Sequence, residues 1–249
     1  MSDILVLDRV CKRFGGVVAA DDVSFAVPKG QVIGLIGPNG AGKSTMLNMI
    51  SGIYEVDGGS ITFNDQDVTK LPPYTRACMG IGRTFQTPRF LQRSNIRDNL
   101  LMGTDLADQK GYLKSFFGKR NHHFEDELAI YLKLAGFSVD LESDITSLSY
   151  GKLKLLEIVR SLLGHPKVML VDEPAAGLNT KEIEYAMALL NYAAQEKNIG
   201  VVLIEHQMDM VMNICKYIVV LSFGQLIARG TPGEISTNQQ VITAYLGGV

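Results

Sequence analysis

The chain has 249 residues, 46% hydrophobic and 20% charged, with a formal net charge of -2. That is enough apolar chain for one large α/β domain, and it excludes a disordered polymer. A balance of 24 Lys+Arg against 26 Asp+Glu argues against a nucleic-acid partner.

In chain order, Ile4-Leu5-Val6, residues 23–27 and residues 60–63 read as strands, with Asp57-Gly58-Gly59 as a turn. Together they predict an N-terminal antiparallel β layer. Val32–Ile36 is a short apolar run of the kind that forms a buried strand, and residues 43–51 carry a helical pattern. Residues from about 88 to about 155 lack strand signals and predict a helical lobe within a single domain spanning 1–249. Inside it, the polar stretch 103–121, with Tyr112, Phe116 and Phe117, is either an ordered excursion or a mobile loop. A helix over 153–163, a strand over 168–171, a helix over 182–196 and a strand over 201–204 follow. Strands alternating with helices imply a largely parallel sheet covered on both faces. Cys11, Cys78 and Cys215 are too scattered for metal ligation, and their odd number precludes a complete disulfide framework. No run reaches the ~18 apolar residues of a membrane span, and the N-terminus does not read as a secretory signal.

The strongest local signal is Gly37-Pro38-Asn39-Gly40-Ala41-Gly42-Lys43-Ser44-Thr45, a full match to the phosphate-binding loop pattern. Glycines let the backbone approach an anion closely, successive N–H groups converge on it, and the following helix adds its positive end. Lys43 is expected to reach the β- and γ-phosphates of ATP, and the Ser44 hydroxyl to ligate Mg²⁺. The motif follows an apolar strand and opens a helix, as the mechanism requires. The fold expected is therefore a P-loop NTPase core.

The strand at 168–171 ends in Asp172-Glu173. The carboxyl end of a parallel strand is where such sheets bind ligands. Alone, the pair is a weak signal, more commonly a capped strand end. Beside a phosphate loop, Asp172 is expected to hold Mg²⁺ and Glu173 to polarise an attacking water. Glu205-His206 repeats the pattern after the next strand, with His206 in reach of a γ-phosphate. The remaining histidines, His122, His123 and His165, read as surface or packing residues.

These residues together resemble the ATPase subunits of ABC transporters. Leu148-Ser149-Tyr150-Gly151-Lys152 is similar to the family's signature loop, usually LSGGQ, and Gln86 to the Q-loop glutamine, a further Mg²⁺ ligand. Ala176-Gly177-Leu178-Asn179 resembles the loop after the catalytic glutamate, His206 the switch histidine, and Phe14 the aromatic that stacks on adenine. The resemblance implies a head-to-tail pairing with a second ATPase subunit, identical or related. Ser149 and Gly151 of one subunit then meet the ATP held by the other. Tyr150 and Lys152 depart from the signature, and Asn179 stands where Asp is usual. Asn179 is expected to hydrogen-bond across the dimer without carrying charge.

Leu-Ser-Tyr-Gly, Glu-Pro-Ala-Ala-Gly-Leu-Asn and Arg-Thr-Phe-Gln, with the C-terminal Ala244-Tyr245-Leu246-Gly247, are similar to the ATPases of branched-chain amino acid importers. Within that branch the chain resembles the longer of two ATPases. Importers of urea or amides and the lipopolysaccharide exporter are the near alternatives. The resemblance implies membrane permease subunits, a periplasmic or extracellular solute-binding protein, and a peripheral position on the cytoplasmic face of the membrane. It also implies a groove over 87–101 that receives a permease helix, with Phe90, Leu91 and Ile96 either lining it or packing into the core. Two other classes weigh less. A soluble mechanical ATPase of the superfamily usually carries a long coiled coil or tandem domains, and a small-molecule kinase leaves the 148–152 loop and His206 unexplained.

Overall fold

The computed structural model describes residues 2–104 and 122–246. Most of the 103–121 stretch discussed above therefore lies outside the described residues, as do the side chains of His122 and His123.

Strands β1 (Asp3–Phe14), β2 (Val17–Pro28), β4 (Gly58–Phe63) and β5 (Gln66–Asp67) form an antiparallel sheet in the order β2-β1-β4-β5. The expected turn at 57–59 is not one, because Gly58 and Gly59 already belong to β4. Gly59 (φ 78) faces Arg9 (φ 48) where the β1–β4 register skips from Asp8 to Cys11. The turn-like glycines serve a β-bulge. The bulge also lets β1 run far beyond the Ile4-Leu5-Val6 core anticipated for it.

The second sheet has six strands in the order β10-β9-β3-β8-β7-β6. They are β3 (Val32–Ile36), β6 (Ile81–Arg83), β7 (Val168–Asp172), β8 (Gly200–Ile204), β9 (Tyr217–Ser222) and β10 (Gln225–Gly230). Every neighbouring pair is parallel except the β9–β10 hairpin. The helices are α1 (Lys43–Ile50), α2 (Pro73–Met79), α3 (Ile96–Leu101), α4 (His122–Leu134), α5 (Tyr150–Leu163), α6 (Thr180–Gln195), α7 (Met208–Ile214), α8 (Pro232–Ser236) and α9 (Gln239–Leu246).

β3, β7 and β8 are buried at every residue, which is why they read as unbroken apolar runs. Their side chains alternate between two cores. Ile33, Leu35, Val168, Leu170, Val202 and Ile204 meet the antiparallel sheet and α1. Val32, Ile36, Met169, Val171, Val201 and Leu203 meet α5, α6 and α7. Burying each such side chain stabilises the fold by about 1.5–3 kcal/mol. Because β3, β6, β7 and β8 run parallel, their carboxyl ends share one edge. The segments starting at Gly37, Thr84, Glu173 and Glu205 all emerge there, and the strand order makes them neighbours.

Candidate functional site

The phosphate loop joins β3 to α1. Gly42, the residue before the helix, has φ 100, and a Cβ there would lie 2.2 Å from the Ala19 carbonyl oxygen. Only glycine fits. The Gly224 N–H donates to the Ala41 carbonyl (3.1 Å), so the β9–β10 turn braces the loop as well. No side chain caps α1 and its first turn holds no acidic residue, so its N–H groups face the loop concavity without a competing anion. The buried Lys43 ammonium donates to the carbonyls of Gly37 (2.7 Å) and Pro38 (2.9 Å). Burial pushes its pKa down, against the opposing charges of Glu173 and Asp172. Asn39, Gly40 and Ser44 are exposed, and Thr45 is half-buried. Phe14 stands at the end of the hairpin whose Ala19 touches Gly42. Its ring meets Tyr54 edge-on at 5.1 Å and lies under the Lys12 ammonium at 5.4 Å.

Across the loop, the Asp172 carboxylate is buried at the tip of β7. Burial raises its pKa, while the Arg83 guanidinium 3.9 Å away acts to lower it. Arg83 also donates to Asn48 Oδ1 (2.7 Å) and Ser51 Oγ (3.0 Å), so it ties the end of α1 to β6 and β7. Glu173 follows in a left-handed conformation (φ 48), a strained backbone for a non-glycine residue. Its N–H donates to the Ile204 carbonyl (2.9 Å). Its carboxylate accepts from Gln86 Nε2 (2.9 Å) and lies 3.1 Å from His206 Nε2. Gln86, Glu173 and His206, three separate expectations from the sequence, thus form one cluster.

Ser149, Gly151 and Asn179 sit apart from it. Ser149 caps α5, its Oγ accepting from the Lys152 N–H at 3.4 Å. Gly151 packs so closely on the Glu182 carboxylate that a Cβ would lie 2.3 Å from it. Glu182 and Asn179 form the capping box of α6. That local duty explains how Asn serves where Asp is usual, since both accept from a helix N–H. Among the described residues, neither Ser149 nor Gly151 hydrogen-bonds to residues 37–45. The Tyr150 hydroxyl donates to the Gln86 carbonyl (3.4 Å), so the signature loop touches the Gln86 segment within the chain.

Of the three apolar residues weighed for a docking groove, Ile96 is fully buried and belongs to the core. Phe90 packs against the core with the Arg160 guanidinium 4.4 Å from its ring centroid, and Leu91 is exposed. Ile96 is therefore a core residue and not a groove wall.

Three functional neighbours went unread in the sequence. Glu205 is buried and accepts from the N–H groups of Ala175 (2.6 Å), His206 (2.7 Å) and Gln207 (3.0 Å), shaping both loops around Glu173. Arg83 was legible only as part of Arg-Thr-Phe-Gln. Lys154, buried on α5, donates to the Glu173 carbonyl (2.8 Å). A lysine among Leu153, Leu155 and Leu156 was the available signal for it. His165 pairs with Glu127 (2.6 Å) and lines a groove of about 360 Å³ with Lys29, Lys167 and Lys197. That groove lies at the opposite, amino-terminal edge of the sheet and shares no residue with the cluster around Glu173.

The oxygen donors available beside the phosphate loop are the Ser44 hydroxyl, the Asp172 carboxylate and the Gln86 amide. They are hard ligands, few in number, and among the described residues no three His, Cys, Asp or Glu side chains gather to form a closed metal cage. This donor set fits Mg²⁺, which takes one or two protein ligands and leaves the rest to phosphate and water. Among the described residues no helix is long and apolar enough to cross a membrane.

Comparison with known proteins bears on this arrangement. The model of the ABC transporter family matches residues 20–176, and that of the branched-chain amino acid ATP-binding cassette transporters matches residues 225–249. The chain is 36% identical over 249 residues to the high-affinity branched-chain amino acid transport ATP-binding protein BraF of Pseudomonas aeruginosa, covering 98% of both chains. It is 35% identical to LivG of Escherichia coli, a protein of the same description, again with 98% of both covered. A solved structure of an ATP-binding cassette of an ABC transporter in its ADP conformation superposes with a TM-score of 0.84 at 32% identity, covering 99% of this chain and all of the other. The chain belongs to the ABC transporter family, as an ATP-binding ATPase subunit of its branched-chain amino acid group.

Proposed function

We propose that this chain hydrolyses ATP at the 37–45 loop to drive import of branched-chain amino acids through membrane subunits that it does not itself contain. The observation that carries the hydrolytic part is the Glu173 carboxylate held between Gln86 and His206 beside a phosphate cradle. The substrate class rests on the relatives' names and on the match over 225–249.

In this reading the backbone of Gly37, Pro38, Asn39, Gly40, Ala41 and Gly42 wraps the β-phosphate, Thr45 and Ser44 extend the cradle, and Lys43 leaves its two loop carbonyls for phosphate oxygens. Phe14, exposed beside the loop, stacks on adenine. Ser44, Asp172 and Gln86 would hold Mg²⁺, which would neutralise phosphate charge when bound. Glu173 accepts a hydrogen bond from the attacking water. His206 steadies the carboxylate and the γ-phosphate. The water oxygen bonds to the γ-phosphorus as the bond to the bridging oxygen breaks, and the proton the water loses passes to Glu173 and from there to solvent, yielding ADP and phosphate. Ser149 and Gly151, which make no hydrogen bond to the chain's own 37–45 loop among the described residues, serve the nucleotide of a second ATPase subunit at a helix N-terminus. Integral permease subunits dock beside the Gln86 segment, where Phe85 and Leu91 are exposed apolar residues. A solute-binding protein delivers substrate from outside, which puts this chain on the cytoplasmic face of the membrane. The whole chain acts as one ATPase domain.

The test compares wild type with Glu173→Gln for Mg²⁺-dependent ATP binding and turnover. The variant is expected to bind ATP as wild type does and to turn over about a hundredfold more slowly or worse. Equal turnover removes Glu173 from catalysis.

A further inference from the structure

We propose that Lys154 is a positioning residue that ties the signature helix α5 to Glu173 and so sets the aim of the carboxylate. This deepens the reading of Glu173 as the group that polarises water, and rests on it. Lys154 is 3% exposed and lies on the buried face of α5, among Leu155, Leu156, Ile158 and Val159 and beside a second buried charge, Glu157. An ammonium in that setting is expensive, and a leucine or methionine would fill the space without the desolvation cost. Burial pushes the pKa of Lys154 down, and the carboxylates of Glu157, Glu205, Glu173 and Asp172 counter that cost only in part. Its hydrogen bond, however, goes to a backbone atom, the Glu173 carbonyl oxygen at 2.8 Å.

That carbonyl matters because Glu173 holds a left-handed backbone that a glutamate does not adopt unaided. The residue is held through its N–H by the Ile204 carbonyl. On the other side its oxygen accepts from Lys154 and from the Ala176 N–H (3.2 Å). Removing Lys154 leaves only the weaker, neutral donor. The 173–174 peptide is then held less firmly, and the strained backbone at Glu173 relaxes so that the carboxylate leaves the line set by Gln86 and His206. Lys154 also lies one turn along α5 from Gly151, so a shift of the helix start is passed to Glu173.

Lys154→Met, Lys154→Arg and Glu173→Gln are compared with wild type for ATP affinity, kcat, KM and urea midpoint. Lys154→Met is expected to lower kcat about tenfold or more while KM and ATP affinity stay within about twofold. Lys154→Arg, which restores charge and donor, recovers most of the rate. If Lys154→Met yields no folded protein, Lys154→Gln carries the test, because its shorter amide falls short of the carbonyl. A kcat within about twofold of wild type, with Glu173→Gln inactive, overturns the proposal while leaving the role of Glu173 intact. So does a loss that follows the folded fraction and is not rescued by Arg. Full turnover by Glu173→Gln overturns both.

Discussion

Glu205 offers a perturbation whose cost follows from its partners. One oxygen accepts from Ala175, and the other from His206 and Gln207. In Glu205→Gln the amide presents one acceptor and one donor group. In its better orientation the oxygen keeps His206 and Gln207, and the NH₂ opposes the Ala175 N–H. One buried donor is left unsatisfied, at about 1–3 kcal/mol. Glu205→Leu strands all three, for up to about 3–9 kcal/mol, a large share of the ~5–15 kcal/mol that stabilises a typical fold. At about 2–4 °C per kcal/mol for a chain of this size, Glu205→Gln should melt about 2–12 °C below wild type and Glu205→Leu much lower. Urea unfolding gives the free energies directly, and ATP turnover below the transition reports on the Glu173 loop. Both variants should lose rate, since Ala175 and His206 flank Glu173. A Glu205→Leu protein within about 0.5 kcal/mol of wild type would refute the reasoning, because three stranded donors cannot be that cheap.

Two further expectations concern the seams of the molecule. Gly151→Ala drives a methyl into the Glu182 carboxylate and so opens the capping box of α6; a loss of about 0.5–2 kcal/mol by urea unfolding is expected, and an unchanged midpoint counts against the packing described. Glu127 joins α4 to Lys197 (2.5 Å) and His165 (2.6 Å). Burial acts to raise its pKa, but these partners outweigh burial and hold it below 4.5. A carboxyl with a depressed folded pKa stabilises above its unfolded value and loses that contribution as pH falls through the folded value. Melting temperature should therefore drop on acidification below about pH 4.5, and Glu127→Gln should be less stable at neutral pH with a shallower acid slope. Parallel slopes for variant and wild type would remove Glu127 as a source.

What the sequence determined by itself was whatever depends on near neighbours in the chain. The 37–45 loop is one such feature, because its glycines, its helix start and Lys43 all act within nine residues. The strands β3, β7 and β8 are another, since burial on both faces writes itself as an unbroken apolar run. Local reading fell short where a bulge interrupted the pattern, as at Arg9 in β1, and where a strand was only three residues long, as in β6. It also misread glycines at 58 and 59, because a bulge and a turn ask for the same backbone freedom. Only the tertiary structure decided the partners of the buried charges. Gln86 meets Glu173 across 87 positions, Phe85 meets Glu157 across 72, and Lys154 meets Glu173 across 19. Those pairings follow from the order of strands in the sheet, which brings four carboxyl ends to one edge. A lysine in a leucine-rich helix or a glutamate after a strand looks the same in sequence whether or not such an edge lies above it.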